Sequence, residues 1–219
     1  MAKIIIFGVQ DFAQLAHFYL SREDLHEIVA FTVHQQYITN TSFIGLPVVP
    51  LENLETTHPP QEFQMFVPMS SAKMNSIRQG VYEQIKAKGY RCITYISPQA
   101  TYYGTPIGEN CFIFENNVIQ PFTKIGDNVI MWSGNHLGHH SHIADHCFIA
   151  SHVVISGHVN IEHNCFIGVN ATLNNGITIA KNTFIGSGAL VTTSTQEFGV
   201  YPGAVAEISR VPSNKLRGV

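Results

Sequence analysis

The sequence has no basic block and no long apolar run. Lysine and arginine number 12 against 15 aspartates and glutamates, for a net charge of −3 and a pI near 6.4. A chain with so little clustered positive charge is a poor partner for nucleic acid or an anionic membrane surface. The longest apolar stretch near the start covers only residues 4–9. It is too short to span a bilayer, and no signal-peptide cleavage pattern follows it. The chain therefore reads as cytoplasmic. Cysteines are few, at Cys92, Cys111, Cys147 and Cys165, which suits reduced thiols rather than a disulfide framework.

What the chain does have is a period. From Ile107 every sixth residue is aliphatic, through Ile113, Ile119, Ile125, Met131, Leu137, Ile143, Ile149, Ile155, Ile161, Ile167, Leu173, Ile179 and Ile185 to Val191. Six is neither the helical 3.6 nor the strand period of 2. It marks a hexapeptide β-helix, three hexads to a triangular coil. A second register, four residues after each aliphatic, is mostly small or β-branched, as at Cys111, Thr123, Val129, Ser141, Val159 and Ala171. Both registers suit the inside of a narrow prism. The register three residues after is rich in asparagine, glycine and histidine, the types that best accept left-handed backbone at a tight corner.

The first ninety-odd residues lack the hexad. Short apolar runs at 3–7, 28–33, 64–67 and 91–96 read as strands, with helices opening at Asp11 and covering roughly 71–88. Gln14 stands where a capping-box partner of Asp11 belongs. Alternating strands and helices predict a small Rossmann-like α/β domain with a parallel sheet over residues 1–96, followed by an all-β domain over 97–219. Ser97-Pro98 and Gly104-Thr105-Pro106 mark the junction.

This layout, and the stretch 138–179 with its Ser156-Gly157 pair followed by Val159 and Ile161, resembles the PglD/NeuD family of sugar acyltransferases. The resemblance implies a left-handed parallel β-helix and a homotrimer with active sites between subunits. It also implies acetyl-CoA as donor, a nucleotide-linked amino sugar as acceptor and no metal. It carries His139 onto the family's catalytic histidine, and imidazole is suited to take a proton near neutral pH. It carries Gly157 onto the glycine whose amide faces the acetyl oxygen. His140 stands where relatives often place an acid that orients the base, with Asp145 as an alternative orienter, and Phe148 replaces a further histidine. Asn135 and His136 are candidate acceptor contacts. By position, Gly168, Val169, Gly186 and Ser187 line a groove for the cofactor, and Lys181, Lys215 or Arg217 would meet its phosphates. Gly8, Gln10, Asp11 and His34 stand where the family holds the nucleotide sugar. Helix N-termini attract anions, although Asp11 opposes one.

Each residue has a plainer reading. His139 is one of eight histidines between residues 136 and 163, and Gly157 reads equally well as a corner glycine. Four functions remain open on the sequence: the N-acyltransferase, a sugar O-acetyltransferase, a non-catalytic sugar-binding β-helix, and a γ-carbonic-anhydrase-like enzyme with zinc on His140, His158 and His163.

Overall fold

The structure is a computed structural model that describes residues 2–23 and 26–215. The chain opens with β1 (Ala2–Phe7), α1 (Asp11–Arg22), β2 (His26–Val33), β3 (Ser42–Phe43), β4 (Leu46–Pro50), α2 (Leu54–Thr57), β5 (Phe63–Phe66) and α3 (Ser76–Ala87). The five strands form one sheet in the order β3-β4-β2-β1-β5, parallel except for the β3–β4 hairpin. Ile4, Ile5 and Ile6 are all fully buried, because β1 is central and both its faces are covered. Ile4 and Ile6 pack with Ala13, Ala16 and Leu20 of α1, while Ile5 packs with Val81, Tyr82 and Ile85 of α3. A strand covered on both sides reads as a continuous apolar run.

From Tyr95 onward the chain winds into a left-handed parallel β-helix with three faces. Seven two-residue strands make one face, from Tyr95–Ile96 through Phe112–Ile113 to Val200–Tyr201. Six make the second, including Val118–Ile119, His136–Leu137 and Val154–Ile155. Four make the third, including His142–Ile143 and Asn160–Ile161. Ile113 pairs with Met131, which pairs with Ile149, so neighbours on a face are one coil apart. Only the ends slip. Tyr95 pairs with Phe112 and Phe184 with Val200, slightly short of a full coil. Every one of the fifteen periodic aliphatics except Ile107 is buried, and together they form the prism core with Cys111, Cys147, Cys165 and Ala171. Burying such a side chain contributes about 1.5–3 kcal/mol. Asn110, Asn128, His140, His146, His152, His158, Asn164 and Asn170 take φ between 55° and 64°, as the corner register predicts. All four cysteines are free and buried.

Three local expectations change. The run at 91–96 does not form one strand of the α/β sheet: Cys92 makes a bridge to Met65, whereas Tyr95–Ile96 joins the first prism face. Asp11 opens α1, but Gln10 is the N-cap and no side chain caps the helix, so there is no capping box. The second long helix starts only at Ser76, because Lys73, Met74 and Asn75 all take positive φ.

The α/β unit lies on the seven-stranded face. Phe112, Phe114, Ile130, Phe148 and Ala150 share one core with β1, β2 and α1. Phe148 thus packs under Phe12 and against Phe166, rather than at a reaction site. Arg78 of α3 is fully buried and is the bolt between the units. Its guanidinium donates to Oδ1 and O of Asn128, O of His146, O of Cys147, O of Met69, O of Ser70 and Oδ1 of Asn75. Among the described residues no helix is long and apolar enough to cross a membrane.

Candidate active site

One corner of the prism, between the six- and four-stranded faces, stacks residues 139, 157 and 175 in one column and 122, 140, 158 and 176 beside it. His139 is exposed there and Gly157, one coil on, is buried beneath its ring. A β-carbon on Gly157 would stand 2.8 Å from Cε1 and 2.9 Å from Nε2 of His139, and 3.1 Å from Oδ1 of Asn175. Gly157 is not among the glycines with positive φ. It is there for space, not for backbone freedom, so the corner-glycine reading fails.

The two nitrogens of His139 have different surroundings. Nδ1 is 3.1 Å from Nδ1 of His140. At that separation one ring donates to the other. With His140 accepting, His139 carries its hydrogen on Nδ1 and keeps the Nε2 lone pair on the Gly157 side. The N–H of Gly157 donates to no protein acceptor among the described residues. The equivalent amides of Glu109, Asp127 and Lys181 are taken by carboxylates, while those of Ser133, Asp145 and Ser151 are unclaimed as well. What sets Gly157 apart is the imidazole over its amide. In that tautomer of His139 an unclaimed donor stands beside a free lone pair, the pairing that acyl transfer asks for.

The surrounding bonds hold this corner in register. The His158 N–H donates to O of His139 at 3.0 Å, and the His139 N–H donates to Oε1 of Gln120 at 2.8 Å. The buried Ser141 hydroxyl donates to O of Ser156 at 2.9 Å and accepts from the Val159 N–H at 3.0 Å. Ser141 thereby ties the coil of the histidine to the coil of the glycine.

Several predicted site residues lie elsewhere. Asp145 sits at the next corner, accepting from the Asp127 N–H and standing 3.7 Å from Nδ1 of His163, so it orients neither ring of the site. The proposed zinc trio is also rearranged: His163 belongs to that other corner, while His140 does stack on His158. Asn135 is buried and committed to structure, donating to O of Trp132 and accepting from the Val153 N–H. It is not available to an acceptor. His136 is half-buried on the six-stranded face, between Val118 and Val154. Gly168 and Gly186 stack at the other edge of that face, beside Val169 and Ser187. A β-carbon on Gly168 would stand 2.6 Å from N of Ser187, which leaves bare backbone along that edge. Lys181 pairs with Glu197 at 3.2 Å. Lys215 is exposed in a short 3-10 turn, and Arg217 lies outside the described residues.

Gly8, Gln10, Asp11 and His34 do come together. The Gly8 N–H donates to O of Thr32 at 2.9 Å, and the rings of Phe7 and His34 are 6.0 Å apart. They lie at the carboxyl ends of β1 and β2, where ligands of open α/β sheets bind. Gly8 takes φ +112°, which a side chain would strain. An acid stands beside His34, just past the end of β4: Glu52 accepts from the Gln35 N–H at 3.0 Å and lies 3.2 Å from Nδ1 of His34.

The sequence reading missed Phe122. It is a corner residue with φ 64°, 78% exposed, and its ring lies 4.8 Å from that of His140. A bulky side chain in left-handed backbone is an outlier. The signal was present, since Phe122 alone breaks the run of asparagine, glycine and histidine along the corner register.

The Bacterial transferase hexapeptide (six repeats) family model matches residues 104–138 and 158–193. Those residues fall on the run of hexads that builds the prism. No curated protein sequence matches the chain. Among solved structures, the acetyltransferase domain of PglB from Neisseria gonorrhoeae FA1090 matches with a TM-score of 0.80 at 21% identity, over 91% of this chain and 96% of that one. A perosamine N-acetyltransferase variant from Caulobacter crescentus, in complex with CoA and GDP-perosamine, matches with a TM-score of 0.79 at 20% identity, over 91% and 93%. WeeI from Acinetobacter baumannii AYE matches with a TM-score of 0.57 at 19% identity, over 94% and 95%. At these identities the chain shares the fold of those proteins.

Proposed function

We propose that this protein is an acetyl-CoA-dependent N-acetyltransferase acting on a nucleotide-linked amino sugar. The observation that carries the reading is the His139 ring seated over Gly157, whose N–H is unclaimed. Acetyl-CoA supplies an activated thioester carbonyl. Nε2 of His139 takes a proton from the attacking amine, and His140 holds the tautomer that keeps Nε2 free. The Gly157 N–H stabilises the negative charge that develops on the carbonyl oxygen. Collapse of that intermediate forms the amide, breaks the C–S bond and releases the CoA sulfur, which takes up the proton held by His139. Among the described residues no carboxylate pairs with either imidazole, which suits a neutral amine better than a hydroxyl needing activation at the outset.

The donor groove and the base lie on opposite edges of the six-stranded face. Gly168, Val169, Gly186 and Ser187 of one subunit therefore serve His139 of another, around a homotrimer. Val118, Val154 and Leu190 are exposed on that face and support such a contact. The Gly168–Ser187 approach leaves backbone open to a slender pantetheine arm. The α/β unit holds the nucleotide sugar through Gly8, Gln10 and His34, with Asp11 at the helix start and Glu52 on the base side. The prism, which begins at Tyr95, carries the transfer. These substrates place the reaction in the cytoplasm. The shared fold with a perosamine N-acetyltransferase that binds CoA and GDP-perosamine supports both substrate classes.

Thiol release from acetyl-CoA, measured across a panel of nucleotide-linked amino sugars, tests the reading. Release that needs one such acceptor is expected. No release with any of them would leave a non-catalytic sugar-binding prism.

A further inference from the structure

We infer that His139, His140 and His158 form a site for a divalent transition-metal ion, and that such an ion switches the enzyme off. The inhibitory half of this inference rests on the transferase reading; the binding half does not. Among the described residues these three are the one group of histidine, cysteine, aspartate or glutamate side chains whose ligand atoms converge, all within 4.8 Å of one another. His140 and His158 stand in the same register on successive coils with φ 58° each, and their rings stack at 4.9 Å with 17° between planes. His139 meets both edge-on, with ring centroids 5.2 Å and 5.1 Å away.

Zinc bound to imidazole at about 2.0–2.1 Å in tetrahedral geometry places its nitrogens roughly 3.4 Å apart. The His139 and His140 Nδ1 atoms are already 3.1 Å apart. Small side-chain rotations bring in the third nitrogen and leave a fourth position for water. The three ligands are neutral imidazoles with no carboxylate, a set suited to zinc, nickel or copper rather than magnesium or calcium. All three side chains are exposed, so an ion has access.

The choice of nitrogen sets the consequence. An ion on Nδ1 of His139 displaces the proton shared with His140 and leaves hydrogen on Nε2. The nitrogen facing Gly157 then has no lone pair to accept a proton. The metal competes with the tautomer that catalysis needs rather than supplying chemistry.

The test uses the full chain stripped with chelator. Zinc binding is measured by competition with a chromophoric chelator, on wild type, His158→Asn and His152→Asn. Asparagine keeps the left-handed corner in both variants. Expected are one zinc per chain in wild type, affinity at least tenfold weaker in His158→Asn, and no change in His152→Asn. Acetyl transfer by wild type should fall with zinc at the same midpoint and recover on adding chelator, while His158→Asn retains metal-free turnover and resists zinc. No stoichiometric binding, or equal affinity in His158→Asn, overturns the site. Stoichiometric binding without transfer to any acceptor leaves the site standing and refutes the transferase reading alone. Transfer that persists with zinc bound refutes the switch.

Discussion

An imidazole can act as a base only through the nitrogen that lacks hydrogen, and at His139 the neighbours decide which one that is. His139→Ala removes the proposed base while leaving the corner backbone, because the residue is exposed and its main-chain bonds to Gln120 and His158 persist. We expect kcat to fall by about 10²–10⁴-fold with an unchanged thermal midpoint. Loss of less than threefold would place the base elsewhere. Gly157→Ala tests the space. The backbone there accepts alanine, but the new methyl would meet the imidazole at 2.8–2.9 Å. The ring must swing away, and a displacement near 1 Å costs about 10²-fold. We expect that loss in kcat with little change in stability; a variant as active as wild type would detach the ring from the reaction. His139 and Gly157 were legible through the family resemblance, and their spacing of one coil agrees with it. The sequence could not show that Asn135 spends its amide on Trp132 and Val153, since side-chain commitments are fixed by neighbours a coil away rather than by residue type.

At the scale of elements, α3 is held by a buried cation with neutral partners only. Burial lowers the Arg78 pKa to about 10, although the neighbouring Cys147 and Cys111 oppose that shift. A guanidinium keeps its charge there because carbonyl and amide oxygens take the place of water. Arg78→Met fills similar volume but strands the carbonyls of Asn128 and His146 and the side-chain oxygen of Asn75 without their donor. Each buried unsatisfied group costs about 1–3 kcal/mol, so a loss of at least ~3 kcal/mol in urea unfolding is expected. A loss below ~1 kcal/mol would mean that other contacts hold the helix. Nothing in the sequence announces this residue: Arg78 sits in an amphipathic helix where arginine normally faces solvent. The prism strands were legible for the opposite reason, since each needs only its own hexad and a copy one coil away.

For the whole molecule, two measurements follow. Three histidines, His26, His58 and His146, have pKa values below the usual one, in each case chiefly because burial disfavours the charged ring. The unfolded chain binds protons at these rings near pH 6.5, whereas the folded chain resists until lower pH. Their contribution is therefore full above about pH 6.5 and declines as pH falls through that value. The urea midpoint should drop between pH 7.5 and 5.5, and His146→Asn should flatten the drop; a midpoint that rises on acidification would refute the sign. Assembly is the second measurement. Sedimentation equilibrium should return three times the 24.3 kDa chain mass, and a monomer that still transfers acetyl groups would rule out the shared site. The order of the two units was legible from the place where the six-residue period begins. How firmly they join was not, because Tyr95–Ile96 leaves the expected sheet to start the prism.

The slipped pairings at the two ends bear on how a chain of this kind changes length. Inside the shaft, losing one letter would rotate every later side chain to the wrong station, turning core aliphatics outward and prising His139 from Gly157. Adding or removing a complete turn keeps all orientations. The first and last rungs, Tyr95 on Phe112 and Phe184 on Val200, tolerate a shortfall because nothing stacks beyond them. Natural indels and grafted loops should therefore gather at the tips or arrive in multiples of a turn.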